Sequence, residues 1–318
     1  MTYPYLVLHS FIENGRHDIK PEVTSGVMSF FMGMQYGIAI RNVCVRTEPT
    51  MEPLRRYEGD VWDRRQESRL NVGETVRLKR QMNDWYYIRS DVSEGYVKKD
   101  GIFLCSKRHY EKYRELLQRE YQVVLKSGRY IDGQYFRVGT VLPVFDNERE
   151  IVYRKGGPVF VRQYLPFTER QLGLQMERML EIPYSWGDER LDGMDCSSTV
   201  RAFFACFGIA LPRNSEEQME YGKYLSTIGA AEYKDLKDKT KEEKTEVLRG
   251  LGVGAVVHMP GHVMIYAGER DGIPFIFHNC DTYQSEDGEV VVRRCVISEF
   301  FPKEGKSYLD YVTAAWKK

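Results

Sequence analysis

The stretch YSWGDERLDGMDCSS, residues 184–198, decides the fold of the C-terminal half because an apolar helical pattern begins directly after it. Apolar residues then recur at intervals of three, four and seven positions, the spacing of one buried helical face: Val200, Phe203, Phe204 and Phe207. Asp195, Ser197 and Ser198 are residue types that begin helices. Cys196 is therefore expected at or next to a helix N-terminus.

A cysteine in that position is a candidate nucleophile. The helix dipole and the free backbone N–H groups at a helix start favour a thiolate over a thiol. Two histidines could act as its base. His262 opens one predicted strand, GHVMIYA at residues 261–267, and His278 ends another, PFIFH at residues 274–278.

The two strands are expected to form a hairpin. Glu269-Arg-Asp-Gly272 is typical of a turn, since Asp-Gly adopts positive φ at little cost. Folding the chain about position 270 places His262 and His278 nearly opposite each other, to within about one residue. A base with a second polar group that holds its tautomer is what a cysteine nucleophile needs.

Each residue also has a structural interpretation. A single cysteine ahead of an apolar helix is more often a small buried core residue, and a histidine at a strand end is more often structural. The helix start, the hairpin and the chain order of Cys196, His262 and His278 together favour catalysis.

From about Thr168 to the C-terminus, the chain resembles the NlpC-type cysteine peptidases of bacterial cell-wall metabolism, which have a papain-like core. Three blocks carry the resemblance: YSWG (184–187) followed by Asp195-Cys-Ser, FGIALPRNS (207–215) followed by Gln218, and GHVMIYAG (261–268) followed by Phe277-His278. The resemblance implies that Cys196 is the nucleophile, His262 the general base and acid, and His278 the residue that orients it. The family often has glycine where this chain has Ser198, a small polar residue that should still fit.

The resemblance also implies a substrate. NlpC-type enzymes cut the γ-D-glutamyl bond of peptidoglycan stem peptides, so hydrolysis of a γ-D-Glu–diamino acid bond through an acyl-enzyme is expected, with an oxyanion hole that includes N–H groups of the helix start. In members that trim free stem peptides, an acidic residue at the position of Asp195 pairs with the free amine of an N-terminal L-Ala. The remaining residues that resemble substrate-lining positions are Tyr184, Ser197, Arg213 and Ser215.

The sequence ahead of this region predicts small β-domains. We expect an α+β protein with an N-terminal packing segment (1–37), a first SH3-like barrel (38–106), a connector with a second SH3-like barrel (107–166) and the papain-like peptidase domain (167–318). Val27–Met34 could be a short helix, and Glu150–Tyr153 one strand of the second barrel. In the fragment-trimming subgroup a neighbouring barrel closes the cleft, and the candidates to face it are Glu67, Trp85 and Tyr96.

Composition limits the remaining classes. Lys plus Arg number 46 and Asp plus Glu number 46, so the net charge is zero, which argues against a general nucleic-acid binder and a polybasic membrane anchor. The 6 cysteines show no Cys-x-x-Cys pair or zinc-ligand spacing, so we expect no metal, cofactor or disulfide framework. No segment is long enough to span a membrane, and a monomer is expected.

The N-terminus shows no signal peptide, which is consistent with the cytoplasm or, if a leader has been removed, with the periplasm or the cell exterior. Two functional alternatives remain open. One is a papain-like amidase or acyltransferase on another substrate, and the other is a non-catalytic wall-binding protein.

Overall fold

The structure, a computed structural model, describes residues 35–129, 133–144, 157–285, 287–303 and 305–318. The chain divides into two compact units, one ending at Tyr164 and the other beginning at Leu165. The predicted helix Val27–Met34 and the predicted strand Glu150–Tyr153 lie outside the described residues.

The N-terminal unit contains a seven-stranded antiparallel sheet with the strand order β3-β2-β6-β5-β4-β1-β7. Its strands are β1 (Gln35–Ala39), β2 (Val43–Arg46), β3 (Gln66–Leu70), β4 (Thr75–Met82), β5 (Trp85–Arg89), β6 (Glu94–Lys98) and β7 (Ile102–Cys105). The beginning of the predicted first barrel, from Ile38 to Arg46, thus contains parts of two strands, β1 and β2. The sheet also begins at Gln35, before the expected boundary at residue 38.

A helix follows this sheet and leads into a smaller one. Helix α1 (Lys107–Arg119) is capped by Ser106, whose Oγ accepts a hydrogen bond from the His109 N–H at 3.2 Å. The described strands beyond it form a three-stranded sheet, β11-β8-β12, and a two-stranded hairpin, β9-β10. They are β8 (Tyr121–Lys126), β9 (Gly128–Arg129), β10 (Tyr135–Phe136), β11 (Val141–Pro143) and β12 (Val159–Arg162). That the two regions are SH3-like barrels stays a prediction.

The C-terminal unit combines helices with a six-stranded antiparallel sheet of order β13-β20-β14-β15-β16-β17 and a short hairpin, β18-β19. Its helices are α2 (Glu169–Met179), α3 (Cys196–Ala205), α4 (Ser215–Thr227), α5 (Lys241–Leu251) and α6 (Tyr308–Tyr311). Its strands are β13 (Glu232–Asp235), β14 (Val256–Met259), β15 (His262–Arg270), β16 (Ile273–Ser285), β17 (Gly288–Glu299), β18 (Pro302–Lys303), β19 (Lys306–Ser307) and β20 (Ala314–Lys317). The architecture is α+β, as the sequence predicts.

Helix α3 lies against the central strands β15 and β16. The structure confirms its predicted apolar face, since Val200, Phe203 and Phe204 are all at most 1% exposed. The Phe203 ring lies 5.7 Å from the ring of Phe277 on β16. Each such buried side chain stabilises the fold by roughly 1.5–3 kcal/mol. This packing fixes the first residue of α3, Cys196, over the strands that carry the two histidines.

Candidate active site

The start of α3 is set by its cap. Asp195 has an extended backbone, and its Oδ1 accepts a hydrogen bond from the Ser198 N–H at 2.9 Å. This satisfies one of the backbone donors that a helix leaves free at its first turn. Cys196 is consequently the first helical residue, as predicted.

The histidines lie on adjacent strands that join at Asp271-Gly272, where both residues have positive φ (55° and 79°). The pairing of Ile265 with Phe277 shows that the register is displaced by two residues from the predicted one. The turn lies further along the chain than position 270, and a bulge between Tyr266 and Gly268 takes back one residue of the displacement. The expectation that the two histidines lie opposite each other to within about one residue is therefore wrong.

The two imidazoles nevertheless meet diagonally across the strands. His262 Nε2 lies 2.9 Å from His278 Nδ1, and the rings are edge to face. His278 Nε2 lies 3.1 Å from Ser298 Oγ on β17. When the Ser298 hydroxyl donates its proton to the Glu299 carbonyl, 2.8 Å away, its oxygen accepts from His278.

These contacts fix the tautomers of the neutral rings. His278 carries its proton on Nε2, so its Nδ1 accepts from His262 Nε2–H. The Nδ1 of His262 is then left with a lone pair. His262 thus has a basic nitrogen that could take a proton from a thiol, and the order of donors runs from His262 through His278 to Ser298.

Cys196 as a whole residue is half-buried, and its sulfur contacts the start of β15. The sulfur lies within hydrogen-bonding reach of the N–H groups of Ser197 and Val263, and Val263 directly follows His262. Burial and then the charge of Asp195 raise the pKa of the Cys196 thiol to about 12, although these N–H groups and Arg213 act in the opposite direction. The predicted resting thiolate is therefore not favoured, because desolvation outweighs the helix start.

The bases are correspondingly neutral. Burial, followed by the positive charge of Lys303, lowers the pKa of His262 to about 4. Burial and then His262 hold the pKa of His278 well below its ordinary value. In the resting site the thiol, which contacts the N–H of Val263, and the imidazole of the preceding residue, His262, are both neutral, and transfer of one proton between them would create two opposite charges that stabilise each other.

Two aromatic residues that cover the histidines were not indicated by any local sequence pattern. The Tyr308 ring lies 5.8 Å from the ring of His262, and the Phe301 ring lies 5.0 Å from that of His278. Burial and the neighbouring thiols of Cys280 and Cys196 raise the pKa of Tyr308 to about 12. These rings exclude water from the imidazoles, which explains why both stay neutral.

Three of the predicted substrate residues form one buried network behind the nucleophile. Arg213 donates two hydrogen bonds to Asp195, at 3.0 and 2.5 Å, and a third to Ser197 Oγ at 2.9 Å. The Asp195 carboxylate also accepts from the Ser197 hydroxyl and from the N–H groups of Ser198 and Gly187.

This network limits what Asp195 can bind. Asp195 is 8% exposed, and both of its carboxylate oxygens already accept hydrogen bonds from protein donors. In this arrangement Asp195 caps α3 and holds Arg213, and its pairing with a substrate amine stays a prediction. Asp188, which the sequence analysis missed, joins the same network by accepting from the Ser198 hydroxyl at 2.5 Å. That contact gives a role to the serine that stands in place of the family's usual glycine.

The other predicted residues are placed as follows. Tyr184 is half-buried, its N–H donates to the Arg293 carbonyl at 2.9 Å, and it forms a bridge with Met194, two residues before the nucleophile. Ser215 is the first residue of α4 and is half-buried. The side-chain roles of both residues in substrate binding stay predictions.

The three remaining candidates belong to the N-terminal unit. Glu67 on β3 and Tyr96 on β6 are half-buried, and the Tyr96 ring contacts that of Tyr87 at 4.8 Å. Trp85 on β5 is 6% exposed and carries the Lys98 ammonium 4.5 Å above its ring. That these residues face the cleft stays a prediction.

All six cysteines are free thiols. Across the described ranges of the chain, no cluster of histidine, cysteine or carboxylate side chains has the arrangement of a metal site. Within those same ranges, no helix is both long enough and apolar enough to cross a membrane.

Comparison with known proteins gives two findings. Residues 181–286 match the model of the NlpC/P60 family. Similar solved structures include an NlpC/P60 endopeptidase from Photobacterium damselae subsp. piscicida, at 18% identity and a TM-score of 0.67, with 98% of this chain and 78% of that chain covered. Another is an NlpC/P60 family protein from Bacillus cereus ATCC 10987, at 14% identity and a TM-score of 0.58, with 89% and 98% covered. At these identities the likeness shows the fold alone. The search of curated proteins returned no match.

Proposed function

We propose that this protein hydrolyses the γ-D-glutamyl–diamino acid bond of stem peptides. The match of residues 181–286 to the NlpC/P60 family supports a papain-like cysteine peptidase of peptidoglycan. The observation that carries the proposal is the hydrogen-bonded chain from Ser298 through His278 to His262. This chain leaves a basic nitrogen on His262, the residue before Val263, whose N–H contacts the Cys196 sulfur.

The chemistry follows from that chain. The Cys196 thiol gives its proton to His262 Nδ1, and the thiolate attacks the carbonyl carbon of the scissile amide. The N–H groups at the start of α3 stabilise the oxyanion. As the C–N bond breaks, the His262 imidazolium gives its proton to the departing amine, which leaves a thioester on Cys196. Water, deprotonated by His262, then hydrolyses the thioester and regenerates the thiol.

The proposal includes a preference for recycled fragments with a free N-terminal L-Ala. The residues assigned to the glutamyl side are Tyr184, Asp195, Ser197, Arg213 and Ser215, on the strength of their resemblance to substrate-lining positions. Arg213 and Ser197 already contact each other beside Cys196, which supports the assignment of both to one pocket.

The test is mass-spectrometric analysis of L-Ala-γ-D-Glu-diamino acid peptides, with and without N-terminal acetylation, alongside a Cys196→Ala variant. We expect release of L-Ala-γ-D-Glu from the free peptide, and none with the variant. Equal cleavage of the acetylated peptide would support the peptidase activity but contradict the proposed preference for a free N-terminal amine. Failure to cleave either peptide would reject the proposed bond and return the alternatives of another acyl substrate or a wall-binding role.

A further inference from the structure

Two lysines face each other on the short hairpin that follows the histidine strands. In the β18-β19 pair, Lys303 is directly opposite Lys306. Like charges in that position destabilise a strand pair. Among the described residues, neither ammonium group forms an ion pair with a carboxylate. Glu304, which lies between the two lysines in the sequence, is outside the described residues. Two adjacent cations that no described carboxylate pairs with are an arrangement that an anionic ligand would stabilise.

The β18-β19 hairpin lies between the two aromatic residues that cover His262 and His278. Phe301, just before β18, lies against His278, and Tyr308, just after β19, lies against His262. The Tyr308 N–H donates to the Phe301 carbonyl at 2.7 Å, which closes the base of the hairpin. Lys303 is half-buried, with its ammonium 4.8 Å from the centre of the Tyr311 ring.

The positive charge of Lys303 acts on His262, the proposed base: after burial, it is the second cause of the lowered pKa of His262. The base is also the group that returns a proton to the departing amine, so the leaving group must lie beside His262 when the C–N bond breaks. We therefore place Lys303, on the hairpin whose flanking residues cover His262 and His278, on the leaving-group side of the scissile bond.

We propose that Lys303, assisted by Lys306, binds a carboxylate of the leaving group, so that the enzyme selects peptides with an anionic group beyond the scissile bond. The inference rests on the proposed function and adds the chemistry of the diamino acid. That carboxylate has two possible sources: the side chain of a diaminopimelate-type residue, or the α-carboxylate of a diamino acid at the peptide's C-terminus. Lysine lacks the first, and amidation removes the second.

Binding of a carboxylate would also assist the chemistry. Around His262 lie His278, whose Nδ1 it contacts, Tyr308, whose ring is beside it, and Lys303, whose charge lowers its pKa. Of these, Lys303 carries a full positive charge that opposes formation of the imidazolium. A carboxylate beside Lys303 compensates that charge, so His262 takes the thiol proton more readily once the correct peptide is bound. Selection should therefore appear in kcat as well as in KM.

The experiment compares four peptides, L-Ala-γ-D-Glu followed by meso-diaminopimelate or L-lysine, each with a free or an amidated C-terminus. We expect kcat/KM to be about tenfold higher for peptides that carry the recognised carboxylate, the usual size of a charge-assisted contact at a partly exposed site. Dependence on the diamino acid identifies the side-chain carboxylate, and dependence on amidation identifies the C-terminal one.

Variants then assign the selection to the hairpin. Lys303→Met should abolish the preference, Lys303→Arg should retain most of it, and Lys306→Met should weaken it. Lys303→Met should also move the acidic limb of the kcat/KM profile to higher pH, since the positive charge next to His262 is gone. Lys239→Met is the matched control, because exposed Lys239 follows β13 at the opposite edge of the sheet from β17.

Two results would overturn the inference while leaving the proposed function intact. One is equal cleavage of all four peptides by the wild-type enzyme. The other is a carboxylate preference that persists in Lys303→Met. Absence of cleavage of every peptide would instead reject the proposed function itself, and with it this inference.

Discussion

At the scale of single residues, the site is defined by the direction of its hydrogen bonds. Ser298 has a single hydroxyl proton, which can be donated in a hydrogen bond to the Glu299 carbonyl. With that contact, His278 donates from Nε2 and accepts at Nδ1, which leaves Nδ1 of His262 free to act as the base. Ser298, which contacts His278 and not His262, thus selects the nitrogen of His262 that carries the proton.

We predict that Ser298→Ala lowers kcat about tenfold without unfolding the protein. The variant leaves the His278 Nε2–H without its acceptor and makes the opposite tautomer of His278 accessible, a loss of about 1–2 kcal/mol. The measurement is kcat with a cleaved stem peptide, with circular dichroism to check the fold. Ser298→Thr keeps the hydroxyl and should retain most of the activity. Full activity of Ser298→Ala would contradict the tautomer assignment.

At the scale of elements, local signals predicted where helices start, and long-range packing determined the rest. Asp195, which the sequence analysis placed at a helix start, caps its helix because a cap depends on residues within one turn, and Thr168 caps another in the same way. The register of β15 and β16 depends on a bulge that the Asp-Gly turn does not signal. Ser298 could not be predicted, because it meets His278 only through the pairing of β16 with β17.

Packing of α4 on β20 provides the element-scale prediction. Gly222 lies against the indole of fully buried Trp316, and a Cβ at this position would be 2.4 Å from ring atoms. We expect Gly222→Ala to lower the free energy of unfolding by about 1–3 kcal/mol, since the ring is rigid and its Nε1 donates to His258. Urea unfolding gives the value.

The control for this prediction has the opposite sign. Gly173 lies inside α2, and nothing is within 4 Å of a Cβ built there. Gly173→Ala should therefore raise the free energy of unfolding by up to about 1 kcal/mol through helix propensity alone. If both alanines stabilise the protein equally, the close contact with Trp316 is not a packing constraint.

At the scale of the whole molecule, the sequence predicted the α+β class and the division into β-rich and peptidase parts. Strand alternation and helical spacing are local patterns, so they indicate the class of each segment. They do not indicate breaks within a run, such as the one between Ala39 and Val43. The sequence analysis also missed Phe301 and Tyr308, because only the fold brings the segment that follows β17 back over the histidines.

Stability towards acid is a property of the whole chain that the buried histidines should dominate. The net charge is zero at pH 7, so general charge repulsion is small there. Burial lowers the pKa of His258 to about 3, that of His262 to about 4 and that of His278 well below its ordinary value. In the unfolded chain each titrates near about 6.5. Below that pH the unfolded state binds more protons than the folded state, so acid favours unfolding.

We therefore predict that the contribution of the three neutral histidines to the free energy of unfolding is fully present above about pH 6.5 and is lost as the pH falls towards about 4. Three such groups lower the free energy of unfolding by about 4 kcal/mol between pH 6.5 and pH 5. Urea unfolding at each pH measures this loss. His258→Gln removes one of the three groups and should make the pH dependence about a third shallower, whatever it does to stability at pH 7.5. The same slope in that variant would mean that carboxylates, rather than the buried histidines, control acid unfolding.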